Sequence, residues 1–351
     1  MLTPDFFTPI VEPRAAKPKL FVIVDTEEEF DWSQPFAREN VSVSAIPEIV
    51  RFQRVVEPYG LRPTYVVDYP VASTPSSASV FAGLVQDHKC RVGAHLHPWV
   101  TPPFSEPLTT EMSFGSNLGM PTEHAKIEAL TEAIVNNIGV RPRVYKAGRY
   151  GFGPSSAAII ESLGYDVDTS VIPHMDFSSE RGPDFSGFTV RPAMFGDKRP
   201  LLELPCTVDF TGFARGLGER LHRLAASSWL TPFRTVGILA QSGTLNKVML
   251  SPEGNRLSEM AELTSTLYGA GVRTFAMTFH SPSLKPGCTR YVRSSADLDA
   301  FLGTIDRFCE FFFTRLSGEA TTAEDLYADL VGSRVGPARQ GSHSPIHPLV
   351  S

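Results

Sequence analysis

The sequence predicts an α/β fold, a (β/α) barrel of about seven strands. Three observations lead there. Short apolar runs rich in β-branched residues recur along the chain, several of them continuous, as suits strands covered on both faces. Segments with apolar residues at helical spacing separate them, and strand–helix alternation argues for a parallel sheet. No GxGxxG follows the first strand, which sets aside a dinucleotide-binding sheet and favours a barrel.

In chain order, the first strand is expected at residues 20–25 (LFVIVD), followed by a helix at 46–59 that stops at Gly60, a residue suited to a left-handed cap. A strand at 64–68 (TYVVD), a helix at 73–88 and a strand at 91–95 (RVGAH) come next. Helices at 122–138 and 154–163, each followed by glycine (Gly139, Gly164), bracket a strand at 143–147 (RVYKA). Strands at 165–171 (YDVDTSV), 201–205 (LLELP) and 273–280 (RTFAMTFH) and helices at 257–268 and 296–316 complete the pattern. Residues 101–120 and 173–200 are long polar stretches with Gly and Pro, of the kind that overhang active sites.

A length of 351 residues gives a prior of two domains at about 150 residues each, although one α/β barrel can take most of such a chain. The expected division is an extended, proline-rich segment at 1–17, the barrel at 18–332, and a disordered tail at 333–351. Apolar residues at 42% and charged residues at 20% exclude wholesale disorder. With 32 basic against 38 acidic residues, a net charge of −6 offers no excess to neutralise phosphates, so nucleic acid is not expected as the principal ligand. The four cysteines, Cys90, Cys206, Cys288 and Cys309, form no CxxC pair and suggest neither a disulfide framework nor a thiolate zinc site. The start lacks a basic stretch followed by an apolar core, and no apolar run approaches the ~20 residues of a membrane span, so the expected compartment is cytoplasmic.

In parallel α/β folds chemistry collects at the carboxyl ends of strands, and most of the expected strands end here in a catalysis-capable residue. Asp25 closes the first, and Glu27, two residues on, shares its face in an extended chain. An acidic run also suits a solvated loop or a helix start; its place directly on LFVIV is what points to function. His95 and His97, two apart on a strand, point the same way and can reach one ion, for which neutral imidazole is a favoured ligand. Lys146 and Arg149 deliver cations to the same rim, or are surface charges, with Gly148 and Gly151 shaping a turn. His280 ends the most apolar late strand, which suits an acid/base role as well as a hydrogen-bonded core histidine. Asp168 and Ser170 end the fifth strand, and Glu203, inside LLELP, requires a partner or a function.

These segments, VDTEEEFDW, GAHLHPW, YKAGRYG, DVDTSVIP and TFHSPSL, resemble in order the five motifs of the polysaccharide deacetylase family (carbohydrate esterase family four), over residues 19–291. The chain departs from the family's pattern in having a spaced acidic pair, histidines two apart and a lysine nearest the arginine motif, and so resembles a divergent subgroup. The resemblance implies an irregular (β/α) barrel and a divalent metal, zinc first, with iron, cobalt or manganese suited to a similar donor set. It implies Glu27, His95 and His97 as ligands, Asp25 as general base, Arg149 or Lys146 holding Asp25 ionised, and His280 protonating the departing amine. Trp99 and Tyr150 would stack on a sugar ring or pack the rim, and Asp168 would contact substrate. The implied activity is removal of an N-acyl (acetyl) group from an amino sugar in a polysaccharide, glycolipid or nucleotide-sugar precursor. A metal-free barrel glycosidase using Asp25 and Glu203 and a sugar-binding pseudoenzyme are the competing expectations. Which sugar, acyl group, metal and oligomeric state apply is open at this stage.

Overall fold

A computed structural model describes residues 2–30, 34–218 and 244–332; the expected tail at 333–351 lies outside them. The described strands are β1 (Thr8–Pro9), β2 (Lys19–Thr26), β3 (Thr64–Val67), β4 (Arg91–Leu96), β5 (Val144–Ala147), β6 (Val167–Asp168), β7 (Ala193–Phe195), β8 (Leu201–Glu203), β9 (Val208–Thr211), β10 (Asn246–Met249), β11 (Thr274–His280) and β12 (Glu319–Ala320). Seven of them run parallel in the order β11-β2-β3-β4-β5-β6-β8. Antiparallel β7 and β1 extend the β8 edge, β12 lies beside the start of β2, and β9 and β10 form a separate ribbon.

The barrel is irregular because, among the described residues, β8 and β11 share no ladder. The base of the ribbon spans the gap: the Leu250 N–H donates to the Thr207 carbonyl (2.8 Å), and the Thr278 N–H to the Leu250 carbonyl (3.1 Å). The Ala276 N–H completes the seam on Thr207 Oγ1 (2.8 Å).

Side-chain alternation divides the barrel into two halves. Phe21, Ile23, Val66, Val144, Val167, Leu202 and Ala276 form one buried cluster, closed at its end by Ala323 and Leu326 of α8 (Ala323–Tyr327). Two residues further along the same faces stand Asp25, Lys146 and Thr278, so the apolar plug gives way to a polar floor. Parallel register then sets His280 beside Asp25 and His95 beside Lys146. Gly93, two residues before His95, occupies a close approach: a Cβ there would stand 2.7 Å from the Val144 carbonyl oxygen and 2.8 Å from Val66 Cγ1. The alternate residues Leu20, Val22, Tyr65, Val67 and Tyr145 pack with the helices α1 (Ile49–Val56), α2 (Tyr69–Ser73), α3 (Pro75–Gln86), α4 (Met120–Ile138), α5 (Pro154–Leu163), α6 (Leu257–Gly269) and α7 (Ser295–Glu310). No helix among the described residues is long and apolar enough to cross a membrane.

Gly60, Gly139 and Gly164 follow their helices in the left-handed conformation, as expected. Four expectations are corrected. The helix expected at 73–88 is α3, Pro75–Gln86, and a separate short helix, α2, precedes it, begun where Asp68 Oδ1 accepts the Val71 N–H (2.8 Å) as an N-cap and ended by extended Thr74. The strand expected over 165–171 is only Val167–Asp168, since Asp168 accepts the Ser170 N–H (3.0 Å) and turns the chain. The helix expected to 316 ends at Glu310 and passes into a wider π turn over Phe311–Arg315. The stretch at 173–200 contains β7, against which β1 pairs, while Phe7 packs on Phe188 and Phe195 (ring centroids 5.8 and 5.3 Å).

Candidate metal centre and active site

Glu27, just beyond β2, and His95 and His97, at the end of β4, are buried together. Glu27 Oε2 lies 3.5 Å from His95 Nε2 and 3.3 Å from His97 Nε2, and the three donor atoms fall within 4.8 Å of one another. A tetrahedral ion with nitrogen and oxygen ligands at 2.0–2.1 Å sets neighbouring donors about 3.3 Å apart, so this trio has the spacing of a divalent-cation site. The tautomers agree with it. His95 Nδ1 donates to the Lys146 carbonyl (3.1 Å) and His97 Nδ1 to Glu28 Oε2 (2.7 Å), which leaves both Nε2 lone pairs facing Glu27. Burial lowers the His97 pKa against the pull of Glu27 and Asp68, favouring the neutral, ligating form. The His97 ring stacks on Trp99 (4.3 Å, 24°) and lies against Gly148, where any Cβ would run into the ring and the Leu96 carbonyl.

Beside the trio, Lys146 Nζ donates to both oxygens of Asp25, at 2.7 and 2.6 Å. Burial opposes ionisation of Asp25, but the Lys146 ammonium, with His95 and His280, holds its carboxyl below the usual range. Burial likewise disfavours charged Lys146, and Asp25 more than compensates, raising its pKa. His280 Nε2 stands 3.6 Å from Asp25 Oδ2, and its Nδ1 is 2.7 Å from Glu253 Oε2. Burial would lower the His280 pKa, but Glu253, Glu27 and Asp25 together push it up to about 10. At neutral pH the site thus sets an ionised carboxylate, Asp25, beside a protonated imidazole, His280. These six side chains line a cavity of about 70 Å³ together with Ala147, Arg149 and Tyr150.

Of the two cations read at this rim, Lys146 is the one on Asp25. Arg149 instead donates to Ser113 Oγ (2.7 Å) and Glu180, with its guanidinium 4.4 Å from the Phe114 ring centroid. Arg149 and Tyr150 both adopt left-handed backbone conformations (φ 51° and 60°), strain of a kind stored at functional sites. Tyr150 stacks on Phe177 (5.7 Å, 18°) at the cavity wall. Trp99 is not a rim residue: it is buried, and its Nε1–H donates to Glu28 Oε1 (2.8 Å). Asp168 is fully buried away from the cavity lining, accepting from Ser170 Oγ (2.7 Å), which in turn accepts the Ala147 N–H (2.8 Å), so it orders the end of β5. Burial and the neighbouring Asp168 push Glu203 well above the carboxylate range; it accepts the Val171 N–H (3.2 Å) and does not line the cavity with Asp25.

Sequence reasoning missed Glu28, Asp68 and Glu253. Burial pushes Glu28 up to about 7, and burial with the hydrogen bond to Glu28 carries Asp68 well above its usual range. Asp68 ends TYVVD as Asp25 ends LFVIVD, the same positional signal. Glu28 had no signal apart from its acidic neighbours, and Glu253 lies in a turn of no distinctive pattern.

No family model matches the chain, and no curated protein matches it. Among solved structures, a candidate polysaccharide deacetylase from Mycobacterium smegmatis aligns over 100% of both chains with a TM-score of 0.53 at 12% identity. A 4-alpha-glucanotransferase from Thermococcus litoralis aligns over 89% of this chain and 40% of its own, with a TM-score of 0.49 at 9% identity. A family 4 carbohydrate esterase from Streptomyces lividans covers 88% and 93%, with a TM-score of 0.41 at 10% identity. The chain therefore has the irregular (β/α)-barrel fold of the polysaccharide deacetylases.

Proposed function

We propose that the chain is a metal-dependent carbohydrate deacetylase, a hydrolase that removes an N-acyl group, acetyl first, from an amino sugar. The observation that carries this reading is the Glu27–His95–His97 trio facing one cavity beside an ionised Asp25 and a protonated His280. Glu27, His95 and His97 would hold a divalent cation, zinc in this proposal, which would polarise the amide carbonyl and make a water more acidic. Asp25 takes a proton from the attacking water, and Lys146 keeps that carboxylate ionised and aimed through its two hydrogen bonds. His280 gives its Nε2 proton to the nitrogen as the C–N bond breaks, so that an amine and a carboxylic acid leave. Glu253, on His280 Nδ1, keeps the ring charged and oriented until that transfer. Tyr150 and Arg149, in the cavity wall, meet the sugar, which is carried in a polysaccharide, glycolipid or nucleotide-sugar precursor.

The test is metal content and acetate release from N-acetylated amino sugars, measured on wild type, His95→Ala and His97→Ala. Both variants are expected to lose the ion and at least 10²-fold in rate, about what positioned acid–base and metal chemistry supplies. Full metal occupancy in both variants, or undiminished rate after exhaustive chelation, would overturn the proposal. Oligosaccharide binding without acetate release across several metals would instead identify a pseudoenzyme.

A further inference from the structure

Two histidines only two residues apart on one strand face the same way, but nothing in that spacing decides which ring nitrogen each presents. Their Nδ1 partners decide it, and the two partners differ in kind. His95 donates to a backbone carbonyl, whereas His97 donates to the carboxylate of Glu28. Glu28 is fully buried and held on three sides. Its Oε1 accepts from Trp99 Nε1 (2.8 Å), and its backbone N–H donates to Asp68 Oδ2 (2.7 Å). Asp68 is fixed in turn through the Val71 N–H at the start of α2 (2.8 Å).

We infer that Glu28 is a positioning residue of the centre: its carboxylate, braced by Trp99 and Asp68, locks His97 with Nε2 toward Glu27 and sets how tightly a divalent cation is held. This rests on the metal-site reading above. Contact supports it: the Glu28 oxygen stands 2.7 Å from His97 Nδ1, and a carboxylate in that place fixes the ring's tautomer and raises the basicity of the ligating nitrogen. The Trp99 ring stacks on His97 while its Nε1–H donates to Glu28, so the same indole braces both the ligand and its partner.

The experiment titrates the metal-free full chain with Co²⁺, followed by its visible ligand-field bands, and with Zn²⁺ against a chromophoric chelator. Wild type, Glu28→Gln and Trp99→Phe are compared, each with a thermal melt of its metal-free form. Gln keeps an oxygen for His97 Nδ1 but loses the charge, and Phe keeps the stacked ring but loses the N–H. Glu28→Gln is expected to bind both ions about 10–100-fold more weakly with altered Co²⁺ bands, and Trp99→Phe to lose less in the same direction, with metal-free melts unchanged. Wild-type affinity and bands in Glu28→Gln would overturn the inference, as would weaker binding only alongside a collapsed melt while Trp99→Phe binds normally. A wild-type chain that binds neither ion would instead overturn the metal-site reading itself.

Discussion

Lys146 and Asp25 form a buried ion pair in which each charge exists because of the other. Removing one partner strands the other, so Lys146→Met is expected to cost about 3–5 kcal/mol in denaturant unfolding as well as the ionised Asp25 that the proposed reaction uses. A loss below ~1 kcal/mol would mean that Asp25 finds another partner. His280 yields a second test. Glu253 raises its pKa, so Glu253→Gln should lower it and move the alkaline fall of the pH–rate profile to lower pH, read from kcat/KM across pH 6–11. An unmoved alkaline limb would remove His280 from the role of acid. At this scale the legible residues were those whose own strand announced them: Asp25, His95, Lys146 and His280 each stand at or near the carboxyl end of a mainly apolar run. Residues that act from another segment were not legible. Glu253 meets His280 across 27 residues and Glu28 meets His97 across 69, contacts that no local period encodes.

Among the elements, α4 carries the clearest pH-dependent burial. Glu123, in its first turn, is fully buried where α4 meets α5; one oxygen takes the Ser156 hydroxyl and the other has no hydrogen-bond partner. Burial, only partly opposed by Ser156, raises its pKa from 4.5 to about 7. The folded state therefore holds a proton that the unfolded chain releases near 4.5. That stabilisation is complete below about 4.5 and is lost as pH rises through 7, a swing of roughly 3 kcal/mol. Glu123→Gln should remove the swing, so its stability relative to wild type rises between pH 5 and pH 8 in urea melts; a constant difference would show that Glu123 is ionised throughout. The parallel strands were legible because both faces are buried and their runs are continuous. The edge elements β1, β7 and β12, two or three residues each, were not: such short strands contain no period, and pairing alone defines them.

Across the whole molecule, alternation within each strand and parallel register between strands place the chemistry at one end. The apolar lower half, with Gly93 admitting the backbone of β5, keeps β4 close enough for His95 to reach the Lys146 carbonyl. Gly93→Ala should therefore damage both halves together, costing about 1–3 kcal/mol as overpacking does and weakening metal binding in the folded fraction. Unchanged stability and affinity would show that β4 and β5 have slack between them. Order along the chain revealed which strand ends are polar, while the open seam between β8 and β11 and its ribbon depend on contacts between segments far apart in sequence. The account stands on one shared point among Glu27, His95 and His97. Anomalous diffraction from crystals grown with zinc measures it directly: the predicted result is a single peak about 2.0–2.2 Å from a Glu27 oxygen and from Nε2 of both histidines. A peak elsewhere, or a zinc-saturated crystal with those three side chains uncoordinated, would contradict it.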